Sequence, residues 1–265
     1  MNHKVLQTLE FDKIINILTG YATTELGKER CAALTPMEDE SSILNAQDQT
    51  QDALTRIYKR GNVSFLGVSD LKPSLMRLRM KGTLGAGELL RIAALLETVK
   101  NAVDYGVRPE EELELGIDSL DEMFESLIPL PDLLHEIRRC IISEEEFNDD
   151  ASPTLKSIRR SIRQTNQKIH TQLTAMISSS SNQEKLQDAI VTMRNGRYCI
   201  PVKQEYRSSF QGMIHDQSAS GNTLFIEPMA VVTLNNELKE LEGKEQSEIE
   251  RILSVLSEQA AFGDR

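Results

Sequence analysis

Along most of the chain, apolar residues recur every three to four positions, the spacing of one helical face. Only between Ile190 and Pro228 does the period drop to two. That stretch opens Ile190-Val191-Thr192-Met193, turns at Arg194-Asn195-Gly196-Arg197 and continues Tyr198-Cys199-Ile200-Pro201-Val202-Lys203. Asn and Gly tolerate the positive φ of a type I′ turn, so the spacing predicts a β-hairpin. Residues 212–215 and 223–226 are two further predicted strands, separated by the polar loop 216–222.

Everything else reads as helix. Phe11, Ile14, Ile15 and Leu18 predict a first helix with one buried face, ending at Gly20. Thr24 caps a second, which Pro36 stops, and residues 39–42 cap a third that carries Ile43, Leu44, Ala46, Ala53, Leu54, Ile57 and Tyr58 to Gly61. A short helix over 71–81 precedes the glycine-dense loop 82–87, which reads as a connector into a helix over 88–105. Helices over 120–127 and 131–140 follow, then a loop or small hairpin over 140–150.

The next helix differs in kind. Leu155, Ile158, Ile162, Thr165, Ile169, Leu173 and Met176 alternate steps of three and four, a heptad-like seam between the start signal Ser152-Pro153 and the stop at Ser178 to Asn182. At 1.5 Å per residue it is about 40 Å long. After Pro228 a matching seam runs through Leu234, Leu238, Leu241, Glu245, Glu248, Ile252 and Val255 or Leu256. Two long seams flanking a compact insertion predict a mainly α fold: a helical core domain plus a long antiparallel coiled-coil arm bearing a small β-rich unit at its tip. The expected divisions are 1–150 for the core, 151–189 for the first long helix, 190–228 for the β unit and 229–265 for the return helix. A seam that reaches Arg265 without a closing partner reads as part of a larger protein.

Composition supports a globular helical protein: 265 residues, 39% hydrophobic, 5% aromatic and no Trp. The absence of an eighteen-residue apolar run and of a signal-peptide pattern at Met1-Asn2-His3-Lys4 leads us to expect a soluble, cytoplasmic protein without membrane partners. Cys31, Cys140 and Cys199 are widely spaced and read as reduced structural thiols, with no metal-ligand spacing. The net charge of −11 hides an asymmetry. Residues 154–207 hold ten Lys or Arg against three acids, a local +7 that leaves −18 elsewhere. A basic segment in an acidic chain points to a local polyanion contact. The alternative is pairing within the arm, because the return seam is flanked by Glu237, Glu240, Glu242, Glu245, Glu248 and Glu250. The run Glu110-Glu111-Glu112 with Glu114 reads as solvated surface.

Four segments resemble the MutS family of DNA-handling ATPases, and specifically its bacterial MutS-II branch. They are Leu9-Glu10-Phe11-Asp12-Lys13-Ile14 with Thr24-Glu25-Leu26-Gly27-Lys28; Asp150-Ala151-Ser152 with Leu155 and Ile158-Arg159; Met193 to Tyr198 with Ile200-Pro201-Val202-Lys203 and Tyr206-Arg207; and His215-Asp216, Ser218, Ser220-Gly221, Thr223 and Phe225-Ile226-Glu227-Pro228. The likeness covers essentially the whole chain. It implies a helical core, two lever helices and a clamp. No Gly-x-x-x-x-Gly-Lys-Ser/Thr phosphate loop occurs, and the branch's small nuclease domain is absent. ATP and Mg, the ATPase and endonuclease activities, and most of the homodimer contacts therefore belong to the full-length protein that the resemblance implies. In this chain it implies no cofactor and no catalytic or metal residue.

The expected function is a nucleic-acid clamp that meets phosphates of duplex or branched DNA without reading bases. Arg194, Asn195 and Arg197 are expected to project from the hairpin tip, Lys203 and Arg207 to continue the strip, and Ser218 and Ser220 to add small donors beside open backbone amides. Four phosphates would give log K a slope of roughly −3 to −4 against log salt. For Tyr198, Phe225 and Ile200 core packing is the favoured reading. The alternative function is a coiled-coil module that binds a protein or the ribosome, since the branch is associated with both recombination restraint and rescue of stalled ribosomes. His215 beside Asp216 is a weak acid/base candidate, because neighbours in a strand point to opposite faces.

Overall fold

A computed structural model describes residues 3–109 and 118–262; the acidic run at 110–112 and 114 lies outside the described residues. Among the described residues the protein is mostly helical with one four-stranded antiparallel sheet. It divides into two compact units, Met1–Phe147 with Leu253–Arg265, and Asn148–Ile252.

The first unit contains α1 (His3–Thr8), α2 (Phe11–Tyr21), α3 (Glu25–Ala32), α4 (Glu40–Arg60), α5 (Lys72–Arg79), α6 (Ala86–Gly106), α7 (Asp121–Glu125) and α8 (Pro131–Cys140). The caps read from the sequence form: Thr24 Oγ1 accepts the Gly27 N–H at 3.0 Å, and the Asp39 carboxylate accepts the Ser42 N–H at 2.9 Å. The core collects around α6 and α8, where Leu89, Ile92, Ala93, Leu96, Ile137 and Ile141 are buried. Arg56, 3% exposed, donates to Asp118 at 2.7 Å and Asp121 at 2.6 Å and lies 4.9 Å from the Phe124 ring centroid. This pairing ties α4 to the segment that begins α7.

Helix α2 forms as its periodicity predicts, but its apolar face is not buried. Phe11 and Ile15 are half-buried, whereas Ile14 is 59% and Leu18 39% exposed. Amphipathic spacing encodes a face and says nothing of what covers it. Among the described residues this one has only partial cover.

The second unit holds α9 (Pro153–Ser178), the short α10 (Ser180–Gln183), β1 (Thr192–Arg194), β2 (Arg197–Lys203), β3 (Gly212–Gln217) and β4 (Thr223–Pro228). Helix α11 (Met229–Phe262) belongs to it as far as Ile252. Ser152 caps α9 by accepting the Leu155 N–H at 2.9 Å, while its hydroxyl donates to Glu248 at 2.6 Å. Arg159 reaches Glu245 at 2.7 Å and Thr165 reaches Glu237 at 3.2 Å. These three contacts advance along α9 as they retreat along α11, so the two helices run antiparallel here.

The sheet order is β1-β2-β4-β3, every pair antiparallel. Ile200, Val202, Leu224 and Ile226 pack with Ile169, Leu173 and Ile177 of α9, Leu186, and Val231 and Leu238 of α11. Strand alternation therefore turns Arg197, Cys199, Pro201 and Lys203 of β2, and Phe225 and Glu227 of β4, to the opposite face. That face carries the candidate site.

Candidate nucleic-acid interface

The hairpin turn closes as the sequence predicts. Asn195 has φ 51° and Gly196 φ 72°, and Arg194 pairs with Arg197 across the turn. Two like charges placed opposite one another repel unless each finds an acid, and each does. Arg194 Nε lies 3.2 Å from Asp216, and its guanidinium sits 4.0 Å above the Phe225 ring centroid. Arg197 donates to Glu227 at 3.1 Å and to Asn236 at 2.6 Å. Both arginines are thus half-buried and folded back onto the sheet, not projecting from its tip as expected. The attraction of nearby carboxylates and an aromatic face outweighs solvation at the turn.

Glu227 is the centre of this arrangement, with 0% exposure. It accepts from Arg197, from Asn235 Nδ2 at 2.8 Å and from His215 Nε2 at 2.5 Å. Asn235, on α11, also accepts the Tyr198 N–H at 3.2 Å and donates to the Tyr198 carbonyl at 3.3 Å. Its side-chain amide stands in for a strand partner where β4 gives way to helix. A bulge between Ile214 and Asp216 makes His215 the extra residue of β3: Asp216, not His215, pairs with Phe225. His215 accordingly serves Glu227 and Asp216 serves Arg194, so the two adjacent residues make no acid/base pair. Burial pushes the Cys199 thiol up to about 11, with nearby Glu227 adding to the effect, which leaves it an unreactive structural thiol.

Asn195 donates to the His215 carbonyl at 2.8 Å, linking the turn to β3. Lys203 Nζ donates to the Glu184 carbonyl at 2.9 Å and makes no ion pair among the described residues. Arg207 is exposed, in a 3₁₀ turn over Gln204–Ser209, and borders a cavity of about 400 Å³ with Glu205, Phe210 and Ile214. The amides of the 218–222 loop are less open than expected. Ser218 N–H donates to Thr223 O at 2.9 Å, Gly221 N–H to Ser218 O at 2.8 Å, and Ser218 Oγ accepts the Thr223 N–H. The Ser218 and Ser220 hydroxyls lie 3.3 Å apart. Ile200 and Tyr198 join the core as expected, but Phe225 does not; it lies on the opposite face beneath Arg194.

The basic segment is partly neutralised from within. Arg159 pairs with both Asp149 and Glu245 at 2.7 Å, Arg163 with Asp149, and Lys156 with Asp150. Arg159 and Arg163 hold the Asp149 carboxyl below its usual range. Acid just ahead of α9, Asp149 and Asp150, thus takes up part of this charge alongside Glu245 of the return helix. Glu227, Asn235 and Asn236 were not among the residues expected from the sequence; a charged residue inside an apolar strand, Ile226-Glu227-Pro228, was the available signal.

The glycine loop 82–87 does not fit a nucleotide. Glu88 of α6 accepts the Gly85 N–H at 3.0 Å, Ser74 Oγ at 3.0 Å and Arg77 at 2.7 Å. A carboxylate already occupies the helix N-terminus that a phosphate would need. Among the described residues no three His, Cys, Asp or Glu gather as a metal site, and no helix is long and apolar enough to cross a membrane.

No protein-family model matches the chain. Curated relatives do. It is 54% identical over 260 residues to Endonuclease MutS2 of Lachnoclostridium phytofermentans, covering 97% of this chain and 33% of that protein. It is 52% identical to Endonuclease MutS2 of Agathobacter rectalis, over 99% of this chain and 33% of the relative. Against Endonuclease MutS2 of Halalkalibacterium halodurans the identity is 42%, over 97% of this chain and 33% of the relative. The chain thus spans about a third of the length of the relatives it matches. On this likeness along nearly its whole length, the chain belongs to the MutS family, among the MutS2 proteins.

Proposed function

We propose that this chain is the nucleic-acid-binding core and clamp portion of a MutS2-type DNA-handling protein. In this reading α9 and α11 form an antiparallel coiled-coil arm, and the sheet is the clamp at its tip. The ligand is duplex or branched DNA, held by phosphates without base readout. The observation that carries the reading is the sheet's second face: its first face is spent on the core, while the second presents Lys203, which makes no ion pair among the described residues, with exposed Arg207 following. The relatives' name, Endonuclease MutS2, supports a DNA ligand for the whole protein. ATP and Mg binding, cleavage and homodimer formation are assigned by the same reading to the full-length protein, acting in restraint of recombination in the cytoplasm.

Arg194 and Arg197 are balanced by Asp216 and Glu227, which leaves Lys203 and Arg207 to meet phosphates. Two such contacts give log K a slope against log salt of about −2. The test is a gel-shift series over a four-way junction, plain duplex and ribosomes, comparing wild type with Lys203→Glu/Arg207→Glu. Loss of DNA binding with a slope near zero supports the clamp. Unchanged DNA binding in the double variant sinks it, and selective loss of ribosome binding would favour the ribosome-associated alternative.

A further inference from the structure

Resting on the nucleic-acid reading above, we infer that the Arg194–Phe225 pair is a stacking platform for an unpaired nucleobase. An arginine offers a ligand either its hydrogen-bonding fork or its flat face. Most of the Arg194 fork is already used. Nη1 donates to the Met193 carbonyl at 2.8 Å and to Thr192 Oγ1 at 3.1 Å, and Nε faces Asp216. Nη2 has no hydrogen-bond partner among the described residues. The guanidinium lies over Phe225 on one side, and its side chain is still 37% exposed.

A phosphate arriving here must compete with Asp216 for a charge already balanced. A nucleobase need not, because it stacks on the guanidinium plane and uses the cation's attraction for a π face. The platform is also preorganised: Phe225 beneath, with Thr192, Met193 and Asp216 at the edge, fix the plane before any ligand arrives, so little rotamer freedom remains to be lost. In an intact duplex both faces of each interior base are covered by its neighbours. The platform therefore selects single strands, frayed ends and the unpaired bases of branched structures.

The test uses a short single strand carrying 2-aminopurine and the corresponding duplex, with wild type, Arg194→Lys and Phe225→Leu. Lysine keeps the charge and loses the plane, while leucine keeps an apolar side chain and loses the ring. The expected result is a fluorescence change on wild-type binding to the single strand. Each variant should bind that strand about tenfold more weakly, with duplex affinity and salt slope unchanged. If Arg194→Lys misfolds, as a shifted melting curve would reveal, Phe225→Leu decides. Single-strand binding and fluorescence that match wild type in the folded variants overturn the platform. So does a wild type that binds duplex without perturbing 2-aminopurine, an outcome that leaves the phosphate clamp standing. A wild type that binds neither probe overturns both readings.

Discussion

Replacing Glu227 with alanine removes the one carboxylate that Arg197, His215 and Asn235 share. Taking away one side of a buried charged pair costs about 3–5 kcal/mol, most of it the penalty of the charge left behind. Here the loss falls at the low end. Arg197 keeps Asn236 and is 19% exposed, His215 is 18% exposed, and Asn235 keeps its two bonds to Tyr198. We expect about 3 kcal/mol, and a smaller loss for Glu227→Gln, which retains one acceptor. The chain has two compact units, so a single global transition is the wrong observable. Hydrogen exchange over Arg197–Lys203 and Thr223–Pro228 reads the local opening, and about 3 kcal/mol corresponds to roughly hundredfold faster exchange. Exchange in Glu227→Ala within about threefold of wild type, some 0.7 kcal/mol, would refute the idea that this carboxylate holds the sheet to α11.

Other outcomes follow from individual contacts. Gly196→Ala places a Cβ at φ 72° with nothing within 4 Å to clash, so backbone strain alone should cost about 1 kcal/mol, read as faster hydrogen exchange over Thr192–Arg194 and Arg197–Lys203. Ser257→Ala strips the buried Leu84 N–H of its 2.9 Å acceptor and should cost about 1–3 kcal/mol, with exchange at Leu84 accelerated. Acid should destabilise the protein by a calculable sign. Burial raises the Asp118 carboxyl, but the Arg56 hydrogen bond, the Leu120 N–H and the Arg56 and Arg108 charges outweigh it, holding it below 3.8; Asp149 and Glu248 are lowered as well. Groups depressed on folding contribute stability above their unfolded values and lose it as pH falls through their folded ones. The urea midpoint of each unit, followed separately, should therefore be flat above about pH 5 and fall below about pH 4. Asp118→Asn should flatten that fall in its own unit while lowering that unit's stability at neutral pH.

Helix caps, the Asn195-Gly196 turn, the seam of α9 and the positions of the strands were legible in the sequence because each depends on neighbours within a few residues. Thr24, Asp39 and Ser152 cap where their side chains can reach an amide three positions on. Leu155, Thr165, Ile169 and Leu173 are buried because helical spacing puts them on one face. The candidate site was legible only as a list of cations. Which of them are spent depends on acids distant in sequence: Glu227 lies thirty positions from Arg197, and Asp216 reaches Arg194 only because the bulge at His215 shifts the register.

Elements and their periods could be read from residue order alone, since local sterics and hydrogen bonding set those. Their partners emerge only in the fold. The face of α2 is largely open, Phe225 lies under an arginine instead of in the core, and a buried carboxylate gathers three strands and a helix around one charge. The difference lies in the range of the forces. Backbone preference acts within a turn or two, whereas a buried charge is satisfied by whichever donors the fold brings to it.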